Sequence, residues 1–313
     1  MTLLHVVHDP GASAVWRHWM TDPVIAIAIG IVAGVYAGGA RAAWRHAGRG
    51  RGVRRWQVWC FAGGMIVLVL ALASPLDALA DQLFSAHMAQ HVLLAIVAPP
   101  LLVAGAPLTA ALWLLPLATR KRLVQWMKRL GWPTTIWAVV TAPVFAWAIH
   151  AVAMWFWHLP RLYTLALNHS AVHAAEHVSF VGTASLIWWG VLYPRRSRRA
   201  AYALGVAALF LTMMQSGALG ALLTLSHRIW FPVHAAGEAR WGVAPLEDQQ
   251  LAGLIMWVPG GLLYLAAMSV LFLAWMRPGE RRDAPAARTA ATNAPTGANE
   301  LDETRSARCD TPA

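Results

Sequence analysis

The sequence predicts an all-α membrane protein, a polytopic bundle of seven transmembrane helices with its N-terminus outside and its C-terminus inside. Of its 313 residues, 58% are hydrophobic and only 12% are charged. Soluble domains carry about 25% charged residues, so this composition excludes an ordinary soluble domain. Apolar stretches also recur at the length of about 20 residues that a helix needs to cross a bilayer.

Seven apolar windows mark the predicted spans. They cover residues 22–40, 56–74, 84–104, 134–156, 171–193, 200–224 and 249–276. The third window contains Pro99 and Pro100, which we expect to kink the helix or to end its regular part, because proline lacks an N–H and crowds the preceding turn. The stretch 106–118 is apolar but short, and it is predicted to be re-entrant or interfacial.

Basic residues concentrate in four segments. The loops 41–55, 119–131 and 194–199 and the tail from 277 together hold 21 of the 25 lysines and arginines. Basic loops stay on the cytoplasmic side, which sets the orientation given above and predicts a multi-pass protein of the cell inner (plasma) membrane. The net charge of +11 is then a topological signal. We therefore predict membrane lipid, and no nucleic acid, as a partner.

This topology divides the chain into three regions. Residues 1–20 are predicted to be a short periplasmic segment and residues 21–276 the seven-helix membrane domain. Residues 277–313 are predicted to be a disordered cytoplasmic tail, because they are rich in Ala, Thr, Pro and Arg and lack a hydrophobic period. Both cysteines, Cys60 and Cys309, fall on the cytoplasmic side, so we predict no disulfide and no cysteine metal motif.

The histidines are sorted by side. Of the thirteen, only His46 falls in a predicted cytoplasmic loop. The others lie outside the membrane or in the outer part of a span: His5, His8, His18, His87, His91, His150, His158, His169, His173, His177, His227 and His234. The positive-inside rule concerns lysine and arginine, so it does not explain this asymmetry.

Two histidine pairs form the core of the predicted metal site. His87 and His91 stand four residues apart at the head of the third span, and His173 and His177 repeat that spacing at the head of the fifth. Helical residues four apart share a face, with Cβ atoms about 6 Å apart. Each pair can therefore grip one metal ion or share a proton, and Glu176 can orient an imidazole. Whether the two pairs meet is a question of helix packing.

A structural explanation competes with this hypothesis. His87 and His91 could form an interfacial pair that is hydrogen-bonded to Asp81 or Gln82. Ionisable groups within membrane segments are functional by default, which favours the site. The histidines of the predicted soluble stretches are interpreted as ordinary surface residues: His5, His8, His18, His227 and His234.

Five further residues are predicted to support the site: Glu176, His158, His150, Asp248 and Met88. For Asp248 the alternative is a helix N-cap. For Met88, as for Met154, Met213, Met214 and Met256, the alternative is hydrophobic packing.

The residue types on the outer side allow three kinds of chemistry. Imidazoles suit copper, zinc, iron and nickel, and thioethers add affinity for Cu(I). Two imidazoles from separate helices could instead hold a haem iron, and a chain of histidine and glutamate could relay protons. The sequence has no nucleophile–base pair, phosphate loop or nucleotide motif, so we predict no catalytic residues and no enzyme activity.

Short motifs in a fixed order carry a resemblance to a known family. They are HMAQHVLL (87–94), APPLL (98–102), GAP (105–107), WHLP (157–160) with Leu162-Tyr163, HAAEH (173–177), PLEDQQ (245–250) and GLIMWVPGG (253–261). On these motifs, over about residues 74–276, the chain resembles the CtaG family of cytochrome c oxidase assembly proteins.

The resemblance implies a membrane assembly factor of about seven spans that helps to mature a haem–copper terminal oxidase. It implies oxidase subunits as partners, with periplasmic copper chaperones as further candidates. Copper as the bound ion is our own hypothesis, and it rests on the outer His/Met residues. Two alternatives stay open: a copper transport or resistance protein, and a haem-binding membrane cytochrome. A transporter should continue its polar or Met residues inward, and the inner halves of the predicted spans hold few.

Overall fold

The computed structural model describes residues 22–193 and 198–276, together with Trp16 and Trp19, and omits the side chains of residues 198–201. The predicted periplasmic segment lies almost wholly, and the predicted tail wholly, outside these residues. The described residues up to Trp275 form one compact unit. Across the described ranges all regular elements are helices and no strand occurs, which confirms the all-α class.

The described chain contains fourteen α-helices. In order they are α1 (Pro23–Ala47), α2 (Arg55–Leu72), α3 (Pro75–Ala80), α4 (Phe84–Val92), α5 (Ala98–Ala104), α6 (Pro107–Trp113), α7 (Leu117–Leu130), α8 (Trp132–Val140), α9 (Pro143–Trp157), α10 (Pro160–Asn168), α11 (Ser170–Leu192), α12 (Arg198–Leu225), α13 (Ala235–Trp241) and α14 (Pro245–Met276). A π-helical turn, Leu93–Val97, joins α4 to α5, and a short 3₁₀ turn, Pro232–His234, precedes α13.

Five to six helical segments of the described chain are long and apolar enough to span a membrane. Five qualify alone: Pro23–Ala47, Arg55–Leu72, Phe84–Ala104, Tyr202–Leu225 and Pro245–Met276. The sixth is α8 with α9, which meet at 68°. The predicted span 134–156 therefore contains a bend, because Pro143 starts α9 and proline disfavours helical backbone in the residue before it.

The predicted number of seven spans is not confirmed, because it depends on helix α11. It has 23 residues, a sufficient length, yet it is not among the segments apolar enough to qualify. His173, Glu176 and His177 lower the hydropathy of its first half. The residues predicted to bind metal thus weaken the signal for a span. Seven spans in the predicted orientation stay a prediction.

The third span departs from regular α-helix near its two prolines. The regular helix ends at Val92, and the π-helical turn follows before Pro99 and Pro100 occupy the first turn of α5. Proline cannot donate to the carbonyl one turn earlier and its ring crowds that carbonyl, so the backbone widens ahead of the pair. The predicted break is confirmed, one turn earlier than the prolines themselves.

The segment between the third and fourth predicted spans is helical. The helix α6 packs against α1, where Gly39 leaves room for the backbone of Ala110. The predicted basic loop 119–131 is mostly helix α7, which has no buried residue. Charge patterning indicates the side of the membrane and does not determine backbone conformation. The segment between the spans is therefore helical, and its side of the membrane stays a prediction.

Close helix packing surrounds the predicted site. The π-helical turn and α5 pack against α11, and α9 packs against both α11 and α12. At the crossing of α12 and α14, a Cβ on Gly220 would collide with the backbone of Gly253, and a Cβ on Gly253 with that of Gly220. Small residues permit such close approach of membrane helices. These contacts bring α4, α9, α11 and α14 around one polar centre.

Candidate metal centre

The two histidine pairs meet. Within the pairs, the ring centroids lie 4.3 Å apart for His87 and His91 and 4.2 Å apart for His173 and His177. Between the pairs, the centroids of His87 and His173 are 5.3 Å apart and those of His91 and His177 are 5.5 Å apart. The first turns of α11 therefore face α4, and Glu176 joins them. We call His87, His91, His173, His177 and Glu176 the His–Glu cluster.

Donor atoms in the His–Glu cluster converge as metal ligands do. One atom each from His87, His91 and His177 lies within 4.8 Å of the other two. The same holds for His87, His173 and Glu176. Tetrahedral ligands at about 2.0–2.1 Å from a zinc-like ion stand about 3.3 Å apart, so modest side-chain movement would close either group on an ion. The two groups share His87.

Seven polar atoms of the cluster are buried without hydrogen-bond partners. Both ring nitrogens of His87 and of His91, both carboxylate oxygens of Glu176 and Nε2 of His177 are in this state. Buried polar groups are nearly always hydrogen-bonded, because leaving them unpaired costs free energy. Bonds from His87 and His91 to Asp81 or Gln82, the structural alternative, do not form. A metal ion could bind the one lone-pair nitrogen that each neutral imidazole carries, together with the carboxylate of Glu176.

His158 stands at the edge of the cluster, and His150 stands apart from it. Nδ1 of His158 donates to the backbone oxygen of Met154 at 2.7 Å, and its ring lies 6.0 Å from that of His91. Nδ1 of His150 bonds to Thr183 at 2.8 Å, and within the described chain no ring contact joins it to the other histidines. Met88 is fully buried in a hydrophobic cluster with Phe84, Met154 and Met256, as the packing alternative expects.

A family comparison matches this architecture. The model of the cytochrome c oxidase caa3 assembly factor family, Caa3_CtaG, matches residues 34–278. That stretch includes the whole His–Glu cluster and every helix after α1. The chain belongs to this CtaG family.

Relatives of this CtaG protein occur in mycobacteria. It is 26% identical over 276 residues to an uncharacterised protein of Mycobacterium bovis and to one of Mycobacterium tuberculosis, covering 87% of this chain and 41% of each relative. An uncharacterised protein of Mycobacterium leprae is 26% identical over 271 residues, covering 85% and 40%. The chain thus spans about two fifths of the length of these relatives. No solved structure matches it significantly.

Asp248 is not part of the cluster, and its carboxylate stabilises the start of α4, the helix that carries His87 and His91. It lies in the first turn of α14, after Pro245, and is therefore not the N-cap of its own helix. Its carboxylate instead accepts hydrogen bonds from the backbone N–H of Phe84 at 2.6 Å and from the hydroxyl and N–H of Ser85. It thereby satisfies the free donors at the start of α4 and holds the turn that carries His87.

His234 was wrongly interpreted as a surface histidine. It is 1% exposed, and its Nε2 shares a hydrogen bond of 2.7 Å with the hydroxyl of Tyr163. The Tyr163 ring in turn contacts that of His87, with centroids 5.0 Å apart. Burial lowers the pKa of His234 to about 4, against the opposing effect of Asp248. The signal that could have found it is its place on the same predicted outer side as the paired histidines.

Glu238 was overlooked in the sequence. It lies on α13, is 1% exposed, and hydrogen-bonds Asp248 through its side chain. Burial first, and then the charge of Asp248 and this hydrogen bond, raise the pKa of Glu238 to about 7. Gly237 beside it allows the backbone of Gln82 to approach, and Trp241 donates to the Gln82 side chain at 2.9 Å. These contacts hold helix α13 against Gln82, just before the start of α4.

Proposed function

We propose that this CtaG protein holds copper in the His–Glu cluster and passes it to a cytochrome c oxidase during assembly. The family supplies the coarser part, which is that the chain is a cytochrome c oxidase assembly factor. The finer part rests on one observation. Seven nitrogen and oxygen atoms, from His87, His91, Glu176 and His177, are buried together without hydrogen-bond partners.

The chemistry of the cluster supports copper as the cargo. Imidazole binds copper well, and copper lies at the top of the affinity order for divalent first-row metals. Zinc also favours imidazole and carboxylate ligands, so the ligand set alone does not distinguish the two. An oxidase assembly factor has reason to handle copper, because haem–copper oxidases contain it, and this consideration favours copper over zinc.

The proposed topology places the cluster on the outer side of the membrane. In it α11 is also a span, the fifth along the chain, and brings the number of spans to seven. The basic segments face the cytoplasm, and the heads of α4 and α11 face the periplasm. The cost of burying ionisable groups in a membrane segment falls towards its ends, which suits a cluster at the mouth of the bundle. The protein would then meet oxidase subunits and periplasmic copper chaperones at the outer face of the inner (plasma) membrane.

The role is proposed to be non-catalytic. Assembly factors bind and deliver, and the cluster contains ligands without an accompanying nucleophile–base pair in the described residues. Membership of the family favours this role.

Ring packing favours a naked metal ion over haem. The histidine rings of the cluster contact one another directly, with His87 and His173 stacked at 5.3 Å. A haem would place its macrocycle between two axial imidazoles, and such a plane would have to separate these rings. Purified protein with a Soret band at about one haem per chain would replace the copper proposal with an electron-transfer function.

Copper binding by the purified full chain tests the proposal. The protein in detergent is loaded with Cu(I) or Cu(II), desalted, and assayed for metal. We expect the wild type to retain copper and the His87→Ala/His91→Ala/His173→Ala/His177→Ala variant to lose the copper held by the cluster. The control is His46→Ala/His227→Ala, which removes two exposed histidines and should bind as the wild type does. Equal retention by the wild type and the four-histidine variant would refute the proposed site.

A further inference from the structure

A small cavity adjoins the His–Glu cluster at the next helical turn along the chain, where Val92, Ala95 and Ile96 line it. It has a volume of about 20 Å³ and is lined by His91, His158, Met154 and Met256, with Phe180 and Ser216 among the other walls. A cavity needs about 10–15 Å³ to hold one water molecule, so this one accommodates a single small ligand. His91 lines the cavity and also belongs to the His–Glu cluster. The two features therefore adjoin along α4.

His158, which lines this cavity, has a ring nitrogen with a free lone pair. Its Nδ1 lies 2.7 Å from the backbone oxygen of Met154. A carbonyl can only accept, so Nδ1 carries the proton and the neutral ring has its lone pair on Nε2. That atom is buried without a hydrogen-bond partner. A metal-binding histidine commonly donates its other N–H to a backbone carbonyl, which fixes the tautomer and the ring.

Two thioethers come from different helices to the same cavity. Met154 on α9 and Met256 on α14 are each 5% exposed and both line it. Methionine usually fills space in cores, and here the two side chains also pack in a hydrophobic cluster with Phe84 and Met88. Packing alone leaves unexplained why they line the same cavity as His91 and His158, two histidines with buried ring nitrogens that have no hydrogen-bond partner.

The ligand set matches one oxidation state of copper. Two imidazoles and two thioethers are neutral, and soft thioethers select Cu(I). Ser216 contributes only a neutral hydroxyl, whose proton is donated to the backbone oxygen of Thr212 at 2.8 Å, and a hard oxygen of this kind is a poor ligand for soft Cu(I). The His–Glu cluster differs in offering the Glu176 carboxylate, which offsets the charge of a divalent ion. The adjoining sites therefore suit ions of different charge and softness.

We propose that His91, His158, Met154 and Met256 form a second metal site, specific for Cu(I), beside the His–Glu cluster. This site extends the proposed function, since it gives an assembly factor that handles copper a second position for the ion. His91 belongs to both ligand sets, so a Cu(I) ion bound first at the His–Glu cluster could pass to the second site by exchanging ligands, with no change of oxidation state. Both thioethers should bind the ion when this position is filled.

X-ray absorption at the copper edge tests the second site directly. The full chain in detergent is loaded with Cu(I) under reducing conditions, and sulfur scatterers are sought in the wild type, in Met154→Leu/Met256→Leu and in Met268→Leu. Met268 is the matched control, because it is another buried methionine of α14 and does not line the cavity. We expect sulfur ligation in the wild type and in the control, and none in the double variant. Absence of sulfur from the wild type, or its persistence in the double variant, would overturn the proposal.

Affinity measurements separate this site from the His–Glu cluster. Ag(I), a soft monovalent probe, should bind about tenfold or more weakly to Met154→Leu/Met256→Leu, while Zn²⁺ binding should be unchanged. His173→Ala should weaken Zn²⁺ binding and spare Ag(I). If the double variant binds Ag(I) like the wild type, the second site is wrong and the cluster stands. If His173→Ala binds Zn²⁺ like the wild type while the double variant loses Ag(I) affinity, the cluster is wrong and the second site stands.

Discussion

The Glu176 carboxylate lies 3.7 Å from Nε2 of His91, and both side chains are buried. That distance is too long for a hydrogen bond, although the two atoms come from helices α4 and α11 that pack together at this point. Neither carboxylate oxygen of Glu176 has another hydrogen-bond partner. A carboxylate and an imidazole that face each other across such a gap could share a metal ion between them. Glu176 therefore becomes a candidate ligand rather than a residue that only orients a histidine.

Neutralising Glu176 tests its role as a ligand. Glu176→Gln keeps the size of the side chain and removes its charge, so the affinity for Cu(II) or Zn²⁺ should fall about tenfold or more. The effect on Ag(I) should be smaller, because silver prefers soft ligands. Isothermal titration calorimetry measures both. Glu247→Gln, which changes an exposed glutamate of α14, is the matched control and should bind like the wild type. Equal Zn²⁺ affinity in Glu176→Gln would show that the carboxylate is not a ligand.

Removing the brace on α4 should affect both stability and metal affinity. Asp248→Ala leaves the N–H groups of Phe84 and Ser85 without their acceptor, which should cost about 1–2 kcal/mol of the free energy of unfolding. Metal affinity should fall as well, because that turn positions His87. Asp22→Ala is the control, since Asp22 accepts from Val24 at 2.7 Å at the start of α1, far along the chain from the cluster. It should lower stability and leave Zn²⁺ affinity unchanged. Loss of stability without loss of affinity in Asp248→Ala would limit Asp248 to a structural role.

The carboxyl of Glu238 should make the stability of this region depend on pH. Its pKa is raised from 4.5 to about 7 in the folded protein, so the native state binds more protons than the unfolded state in that range. Stability should therefore fall as pH rises from about 4.5 to about 7. Glu238→Gln should remove this contribution, which thermal unfolding at a series of pH values can measure. A wild-type and a variant curve of the same slope would contradict the assignment.

The hydrogen bond between Tyr163 and His234 should stabilise the segment between α12 and α14, which contains the turn Pro232–His234 and helix α13. Tyr163→Phe removes the hydroxyl and leaves Nε2 of buried His234 unpaired, which should cost about 1–3 kcal/mol of the free energy of unfolding. Tyr193→Phe is a milder control, because the hydroxyl of Tyr193 makes a longer bond of 3.2 Å to Val103 in a partly buried position. Chemical denaturation in detergent compares the two. A smaller loss for Tyr163→Phe than for Tyr193→Phe would argue against a stabilising role of this pair.

Local patterns in the sequence predicted much of the helical structure. The third predicted span, 84–104, has the same limits as the structural segment Phe84–Ala104, because apolar length is a local property. The bend between α8 and α9 was missed, since the segment reads as continuously apolar across Thr141 and Ala142. The basic segment that contains α7 was predicted only as a loop between two spans. Its positive charge indicates a side of the membrane and gives no information on backbone conformation.

Local sequence patterns likewise predicted one part of the site, and the other part depends on contacts between distant segments of the chain. Helical spacing placed His87 beside His91 and His173 beside His177, and the structure shows each pair in contact. Contact between the pairs depends on how α4 and α11 pack, which one sequence does not determine. His234 and Glu238 reach the region through the segment between α12 and α14. Their burial follows from that packing rather than from their neighbours in the chain, so local sequence patterns predicted the burial of neither residue.

Copper in the assembled oxidase tests the central proposal most directly. Cells that lack this protein are complemented either with the wild type or with the His87→Ala/His91→Ala/His173→Ala/His177→Ala variant, after the variant is shown to accumulate in the membrane. The copper content and activity of the oxidase are then measured at limiting and at ample copper. We predict that the variant cells contain oxidase subunits with little copper and little activity at limiting copper. Oxidase of normal copper content and activity in those cells at both copper levels would contradict the proposal.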